Sequence, residues 1–218
     1  HFVWLRPLGS GSFSDVYAVQ HKMRPAEYYA IKRSKREFRS RGERAEYLRE
    51  VQLANSMPAH ANVVEYHRAW QDASFFYVQM ELCPGGTLGQ LLLREGGALA
   101  CVAGEARVWE LVRHVARGLS HIHAHGVIHC DIKPDNILLS SDGVFKIGDL
   151  GQAAALKAWN EQEGDAKYLS RDLLESKPST AADIFSFGMV LYEVRTAESL
   201  PGSGPRWDEL RSGSVPPP

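Results

Sequence analysis

The first third of the chain reads as short strand-like apolar runs with one helix between, and the pattern then changes to a helical period. Residues 4–8 and 16–20 are short strand-like runs flanking a Gly/Ser turn, and Tyr28-Tyr29-Ala30-Ile31 is aromatic and β-branched, as a strand prefers. Residues 41–56 have helix-forming composition, with Ala45, Leu48 and Val51 or Gln52 on one side. Two more short strands are predicted over 63–70 and 75–80. After Pro84-Gly85-Gly86, apolar residues fall at Val108, Leu111, Val112, Val115, Leu119 and Ile122, the stripe of a core-facing helix across 105–123. A second apolar helix is predicted over about 180–194, and Ile137-Leu138-Leu139 and Val144-Phe145-Lys146-Ile147 read as strands around the turn Ser141-Asp142-Gly143. The predicted fold class is α+β with two lobes. A five-stranded antiparallel sheet carrying one helix joins through a Gly-containing hinge to a mostly helical lobe, and a ligand site is expected between them.

Composition changes this picture little but excludes several classes. With 44% hydrophobic and 23% charged residues, the 218-residue chain has globular rather than disordered composition and needs no disulfide or metal staple. A formal net charge of -1 argues against nucleic acid or an anionic membrane as the main partner. Cys83, Cys101 and Cys130 make no zinc spacing and read as free thiols of a reducing compartment. No apolar run approaches the roughly 20 residues of a spanning helix, so no membrane segment is expected. The N-terminus lacks the pattern of a signal peptide and opens directly on a strand, as in a domain cut from a longer protein. The last stretch, Ser212-Gly213-Ser214-Val215-Pro216-Pro217-Pro218, suits neither helix nor strand. No internal repeat is present.

Candidate chemistry begins in the first turn. In Gly9-Ser10-Gly11-Ser12-Phe13-Ser14-Asp15-Val16 the glycines would let backbone N–H groups close over phosphates, although a Gly-rich hairpin turn is the plainer reading. Lys32, ending Ala30-Ile31-Lys32, is spaced to hold nucleotide phosphates and needs a carboxylate to fix it. Glu50 on the following helix fits, with Glu46 one turn earlier as the fallback; solvated surface charges are the alternative. Further on come His129-Cys130-Asp131-Ile132-Lys133-Pro134-Asp135-Asn136 and Asp149-Leu150-Gly151.

In order and spacing these motifs resemble the protein kinase superfamily over almost the whole chain. The resemblance implies a two-lobe kinase fold, with residues 1–83 as N-lobe and hinge and 84–218 as a C-lobe lacking its last helices. It implies Mg2+ and ATP. Asp131 would be the catalytic base, Lys133 would contact the transferring phosphoryl, and Asn136 and Asp149 would hold two magnesium ions. Lys32, fixed by Glu50, would hold the α- and β-phosphates. Leu8, Gly9, Ser10, Gly11, Val16 and Ala30 would enclose ATP with Lys32. Met80 would be the gatekeeper, and backbone groups of Glu81 and Cys83 would pair with adenine. Asp183 would hydrogen-bond catalytic-loop backbone.

Two departures from the family pattern carry information. Cys130 replaces the usual arginine before Asp131, removing the bidentate anchor of a phosphorylated activation loop. Residues 152–167 also contain no Ser, Thr or Tyr, so activity is expected not to require phosphorylation there. Ser14 stands where the pattern has a third glycine, and Leu150 replaces the usual Phe while remaining apolar.

Glu163-Gly164-Asp165-Ala166-Lys167-Tyr168-Leu169, Ser170-Arg171-Asp172 in place of Ala-Pro-Glu, and Trp207-Asp208-Glu209-Leu210-Arg211-Ser212-Gly213 are similar to the Wee-type mitosis-inhibitory kinases. Asp149-Leu150-Gly151 is closer to the nuclear Wee branch than to the membrane-associated Myt branch. That resemblance implies phosphorylation of a tyrosine in the glycine-rich loop of a cyclin-dependent kinase, with cyclin, and a nuclear location, with the cytoplasm as the alternative. Lys133 two places after Asp131 is instead the serine/threonine-kinase form. Another Ser/Thr kinase and a non-catalytic kinase-like binding module are therefore the competing readings. His121, His123, His125 and His129 are expected to be structural rather than metal ligands, and the basic run over 33–44 a solvated face rather than a nuclear-import signal.

Overall fold

The computed structural model describes residues 1–37, 41–94, 99–155, 165–170, 173 and 179–212. Strands β1 (Phe2–Ser10), β2 (Ser14–His21), β3 (Arg24–Ser34), β4 (Tyr66–Asp72) and β5 (Phe75–Glu81) form one antiparallel sheet in the order β1-β2-β3-β5-β4. Helix α1 (Arg41–Asn55) turns Leu48 and Val51 onto the apolar cluster of Ala30, Val64, Phe76, Val78, Met80 and Cys83. The strand expected over 63–70 begins only at Tyr66. Val64 instead donates to the Ile147 carbonyl, and Asn62 accepts from the Ile147 amide, so residues 62–64 tie the sheet lobe to the helical one.

The hinge needs its glycines for different reasons. A Cβ on Gly85 would stand 2.7 Å from the Leu139 Cβ, and Gly86 has φ +81°. Beyond it come β6 (Gly86–Thr87), a short helix α2 (Leu88–Arg94) and α3 (Leu99–Ala124), which is interrupted at Gly104. The stripe read from sequence is the buried one: Leu111, Val115, Leu119 and Ile122 are fully inaccessible.

Strand β7 (Val127–Ile128) leads into the loop of Asp131, and β8 (Ile137–Leu139) and β9 (Phe145–Ile147) form a hairpin that closes against β6. Strand β10 (Ala154–Ala155) pairs back onto β7. Helix α4 (Thr180–Thr196) buries Ala182, Asp183, Phe187, Val190 and Val194 beneath that loop, and α5 (Pro205–Arg211) follows. The architecture is the α+β, two-lobe kinase arrangement expected, with α2 and α5 as elements that periodicity did not reveal. The Glu46 and Cys101 side chains and residues 38–40, 156–164, 171, 172 and 213–218, singled out above, lie outside what the structure describes.

Candidate active site

Pairing of β3 with β2 and β5 places Lys32 opposite Val16 and Val78, at the mouth of the cleft. Its ammonium lies 2.9 Å from both Glu50 oxygens and 2.7 Å from Asp149 Oδ1. Burial alone would lower the Lys32 pKa; the charges of Glu50 and Asp149 more than offset it and leave Lys32 firmly protonated. At Asp149 burial pushes the carboxyl up, but Lys32 outweighs it and holds the group below the usual range. A cation and two carboxylates thus meet at the cleft, one carboxylate locked on α1 (Glu50, 4% exposed) and the other reached by solvent.

Tyr66 welds this constellation to the backbone. Its hydroxyl donates to Glu50 Oε1 at 2.9 Å and accepts from the Leu150 amide at 3.2 Å. Burial, with Glu50 close by, pushes its phenol well above the usual range, so it remains a donor. Nothing in the spacing of residues announces Tyr66, because its partners lie 16 and 84 positions away.

The second cluster is built by the loop after β7. Asp131 Oδ2 accepts from Asn136 Nδ2 and from Lys133 Nζ, each at 2.9 Å, and Oδ1 accepts from the Asp165 amide at 3.2 Å. At Lys133, burial is again outweighed, here by Asp131, and its pKa is raised. Asn136 Nδ2 also donates to the Asp131 carbonyl at 2.8 Å. Both neighbours of that amide nitrogen are acceptors, so the side-chain carbonyl oxygen of Asn136 is directed elsewhere and could ligate a cation.

Oxygen donors from Asn136 and Asp149, one carboxylate among them, suit magnesium. Asp149 has Oδ1 committed to Lys32 and Gly151, which leaves Oδ2 for a metal.

Cys130 and Asp149 both adopt left-handed backbone, with φ of 64° and 53°. Such conformations cost about 1–3 kcal/mol each away from glycine and persist where surrounding bonds enforce them. Those bonds are visible. Asp183, 1% exposed, accepts from the His129 and Cys130 amides at 2.9 Å each, and His123 Nε2 lies 2.7 Å from the same carboxylate. His129 in turn accepts from the Asp131 amide at Nδ1 and reaches the Gly148 carbonyl from Nε2 at 2.8 Å, which assigns its proton to Nε2. His121 pairs with the Pro58 carbonyl and His125 with the His121 carbonyl.

Beside Lys32 lies an apolar slot. Leu8, Val16, Ala30, Met80 and Cys83, all named from sequence, share one cluster with Val64 and Leu138, which were not. The Glu81 amide is taken by the Glu65 carbonyl, so of its two backbone groups only the carbonyl remains for a nucleotide. Its side chain meets Lys146 at 2.7 Å, an ion pair behind the hinge that sequence reading did not find.

Gly9 and Gly11 have ordinary negative-φ backbone, and a Cβ on Gly9 would meet nothing within 4 Å. Neither handedness nor close packing therefore demands a glycine at these two positions. Ser14 is buried in extended strand opposite Ser34, so nothing local requires a glycine there. The loop is tethered to α1 through Tyr47, whose hydroxyl donates to the Phe13 carbonyl at 3.2 Å.

Cys83 and Cys130 are 4% and 3% exposed. Burial, with Glu81 nearby, pushes the Cys83 thiol up to about 12, and burial with Asp183 raises Cys130 as well. At pH 8 the Cys83 thiolate fraction is on the order of 10³-fold below that of a free cysteine. Iodoacetamide labelling followed by mass spectrometry is expected to leave both unmodified in the native state and to modify both in urea. Labelling of either at the free-thiol rate would contradict this environment.

The sequence matches the protein kinase domain family over residues 2–206. A Dictyostelium discoideum protein named as a probable protein kinase is 37% identical, the alignment covering 99% of this chain and 62% of the relative. The mitosis inhibitor protein kinase wee1 of Schizosaccharomyces pombe is 37% identical over 95% of this chain and 24% of its own length. A membrane-associated tyrosine- and threonine-specific cdc2-inhibitory kinase of Drosophila melanogaster is 38% identical over 99% of this chain and 40% of its own. The chain therefore spans between 24% and 62% of the length of these relatives. Matched almost from end to end, with its charged residues gathered in the family's order around one cleft, the chain belongs to the protein kinase family and within it is similar to the Wee-type kinases.

Proposed function

We propose that the chain transfers the γ-phosphoryl group of Mg-ATP to a tyrosine in the glycine-rich loop of a cyclin-dependent kinase bound to cyclin, restraining the onset of mitosis. The observation that carries phosphoryl transfer is the Lys32 ammonium held between Glu50 and Asp149, with Asp131 buried in its own donor network across the cleft. The apolar slot of Leu8, Val16, Ala30, Met80 and Cys83 takes the adenine, and Gly9, Ser10 and Gly11 approach the phosphates through backbone amides.

Lys32 neutralises and orients the α- and β-phosphates. Glu50 and Tyr66 keep that lysine from swinging away. Asn136 and Asp149 hold magnesium, which when bound offsets charge on the phosphate oxygens. Asp131 orients the acceptor hydroxyl and takes its proton, and Lys133 contacts the phosphoryl oxygens in transfer. Cys130 fills a buried corner with Ile128, Leu173 and Ala182, where the family usually has a cation. That corner supports activity without activation-loop phosphorylation.

The acceptor type rests on the relatives, one named as a mitosis inhibitor and another as a tyrosine- and threonine-specific cdc2-inhibitory kinase. One observation favours a Ser/Thr acceptor: Lys133 is held 2.9 Å from Asp131 in the serine/threonine-kinase arrangement. A nuclear location belongs to the same proposal and rests on the Wee-branch motif Asp149-Leu150-Gly151. Among the described residues no helix is long and apolar enough to cross a membrane. Phosphoamino-acid analysis of a cyclin-dependent kinase–cyclin complex after incubation with the chain and Mg-ATP separates the readings. Phosphotyrosine in the target's glycine-rich loop is expected. Exclusive phosphoserine or phosphothreonine would leave a kinase of another substrate class.

A further inference from the structure

The five-stranded sheet curls until its two edges meet. Strands β1 and β4 have three strands between them, a separation of about 19 Å in a flat sheet. Yet the Phe2 ring of β1 stacks on Trp70 of β4 with centroids 6.2 Å apart, and the Trp4 ring meets that of Tyr77 at 6.5 Å. These rings lie away from the nucleotide cleft. Lys32 pairs with Val78, so Tyr77 and Gln79 on either side of it point to the opposite face. On that face the rings wall a cavity of about 840 Å³, a size that suits a ligand.

The cavity contains a polar group with nothing to bond. Gln79 is 7% exposed and lines it, and its side-chain amide has no hydrogen-bond partner among the described residues. Its cross-strand neighbour Ile31 is fully buried hydrocarbon, so packing alone would favour an apolar side chain here. An amide buried without a partner is unfavourable, which marks Gln79 as a group kept for a ligand. Arg68 stands directly opposite Gln79 in the β4–β5 register, is exposed, and makes no ion pair among the described residues. Arg24 adds a second cation, shared with Glu27 at 2.9 Å, and Asp72 lies at the same cavity. On the same face Arg33 covers the Phe75 ring at 4.3 Å with its buried Nε unbonded.

Aromatic walls of this kind can house an ammonium group, but Arg68 and Arg24 would repel one. The Arg68 guanidinium and the Gln79 amide are instead neighbouring donors, suited to a carboxylate, and the rings beside them suit a planar apolar group. We propose that this cavity docks an acidic segment of a protein partner. An aromatic side chain of that segment enters between Phe2, Trp70 and Tyr77, and an adjacent carboxylate is taken by Arg68 and Gln79. The site is separate from the phosphoryl-transfer cleft and does not depend on that reading.

Fluorescence anisotropy tests it, with the whole chain titrated into a labelled peptide carrying one phenylalanine flanked on each side by two glutamates. Saturable binding with Kd below about 1 mM is expected. It should weaken at least roughly 10-fold when the glutamates become glutamines or the phenylalanine becomes alanine. Arg68→Ala and Gln79→Leu are each expected to weaken it roughly 3- to 30-fold, while ATP affinity stays within about two-fold, as for distant sites. Arg68 is exposed and can be changed without disturbing the core, and Gln79→Leu removes an unused amide, so its urea midpoint is expected not to fall. No saturable binding, equal binding of the glutamine peptide, or undiminished binding in both variants would overturn the proposal. Self-association of the wild-type chain that Arg68→Ala abolishes would assign this face to a second copy and overturn it likewise.

Discussion

Replacing Asp131 by Asn is expected to lower kcat for phosphoryl transfer by about 10²- to 10⁴-fold, the range for a positioned general base, with little change in the KM for ATP. The two side chains have nearly the same shape, so the change tests chemistry rather than packing. In the wild type the Asp131 carboxylate accepts from Asn136, Lys133 and the Asp165 amide and donates nothing. The asparagine keeps one acceptor oxygen but turns an amide towards groups that already donate, and it has no basicity with which to take the hydroxyl proton. Asp131 is not part of the apolar slot that would seat adenine, which is why the effect should fall on kcat. Steady-state kinetics at saturating protein substrate, with ATP varied, reads both parameters. A variant retaining wild-type kcat would remove Asp131 from the mechanism.

The second large effect is on stability. Asp183→Ala is expected to cost roughly 3–5 kcal/mol, because it leaves buried donors without an acceptor. The His129 and Cys130 amides both point at this carboxylate from a loop whose Cys130 already sits at φ 64°. No water can replace the lost oxygens without entering a site where Asp183 and His129 are almost wholly inaccessible. Asp183→Asn should lie between wild type and Ala, since one amide oxygen can still accept while the new NH2 opposes a backbone donor. Urea unfolding followed by far-UV circular dichroism gives the comparison through the midpoint. An Ala variant within about 1 kcal/mol of wild type would mean that the loop is held by other contacts.

Much of the cleft was legible because the chemistry is local in sequence. The stretch from His129 to Asn136 carries a carboxylate, a lysine and a side-chain amide within eight residues, and folding brings all three together in one loop. Glu50 was legible at one remove, since helix period and the need to pair Lys32 both select it. What could not be read were contacts whose partners meet only in three dimensions. Tyr66 joins Glu50 to Leu150, Lys146 meets Glu81, and Arg211 reaches carbonyls 42 to 45 positions before it. The start of β4 was misplaced for a related reason. Val63 and Val64 have strand composition, but Ile147 competes for their backbone and wins. Helices α2 and α5 have seven residues each, too short to display a period.

The Ser14 and Cys130 departures have different physical outcomes. Ser14 sits in extended backbone that any residue adopts, so losing a glycine there removes no turn. Cys130 occupies an interior corner where a guanidinium would need its own acceptors, and its thiol, paired weakly to the Ile128 carbonyl, needs almost none.

The most direct measurement follows label from the γ-position of ATP into a cyclin-dependent kinase–cyclin complex, using the wild-type chain and Asp131→Asn side by side, with and without magnesium. The result expected is label on tyrosine of the target's glycine-rich loop, dependent on magnesium and nearly abolished by Asp131→Asn. A folded wild-type chain that binds ATP yet transfers no label, or label undiminished in Asp131→Asn, would contradict the assignment of this cleft as a phosphoryl-transfer site.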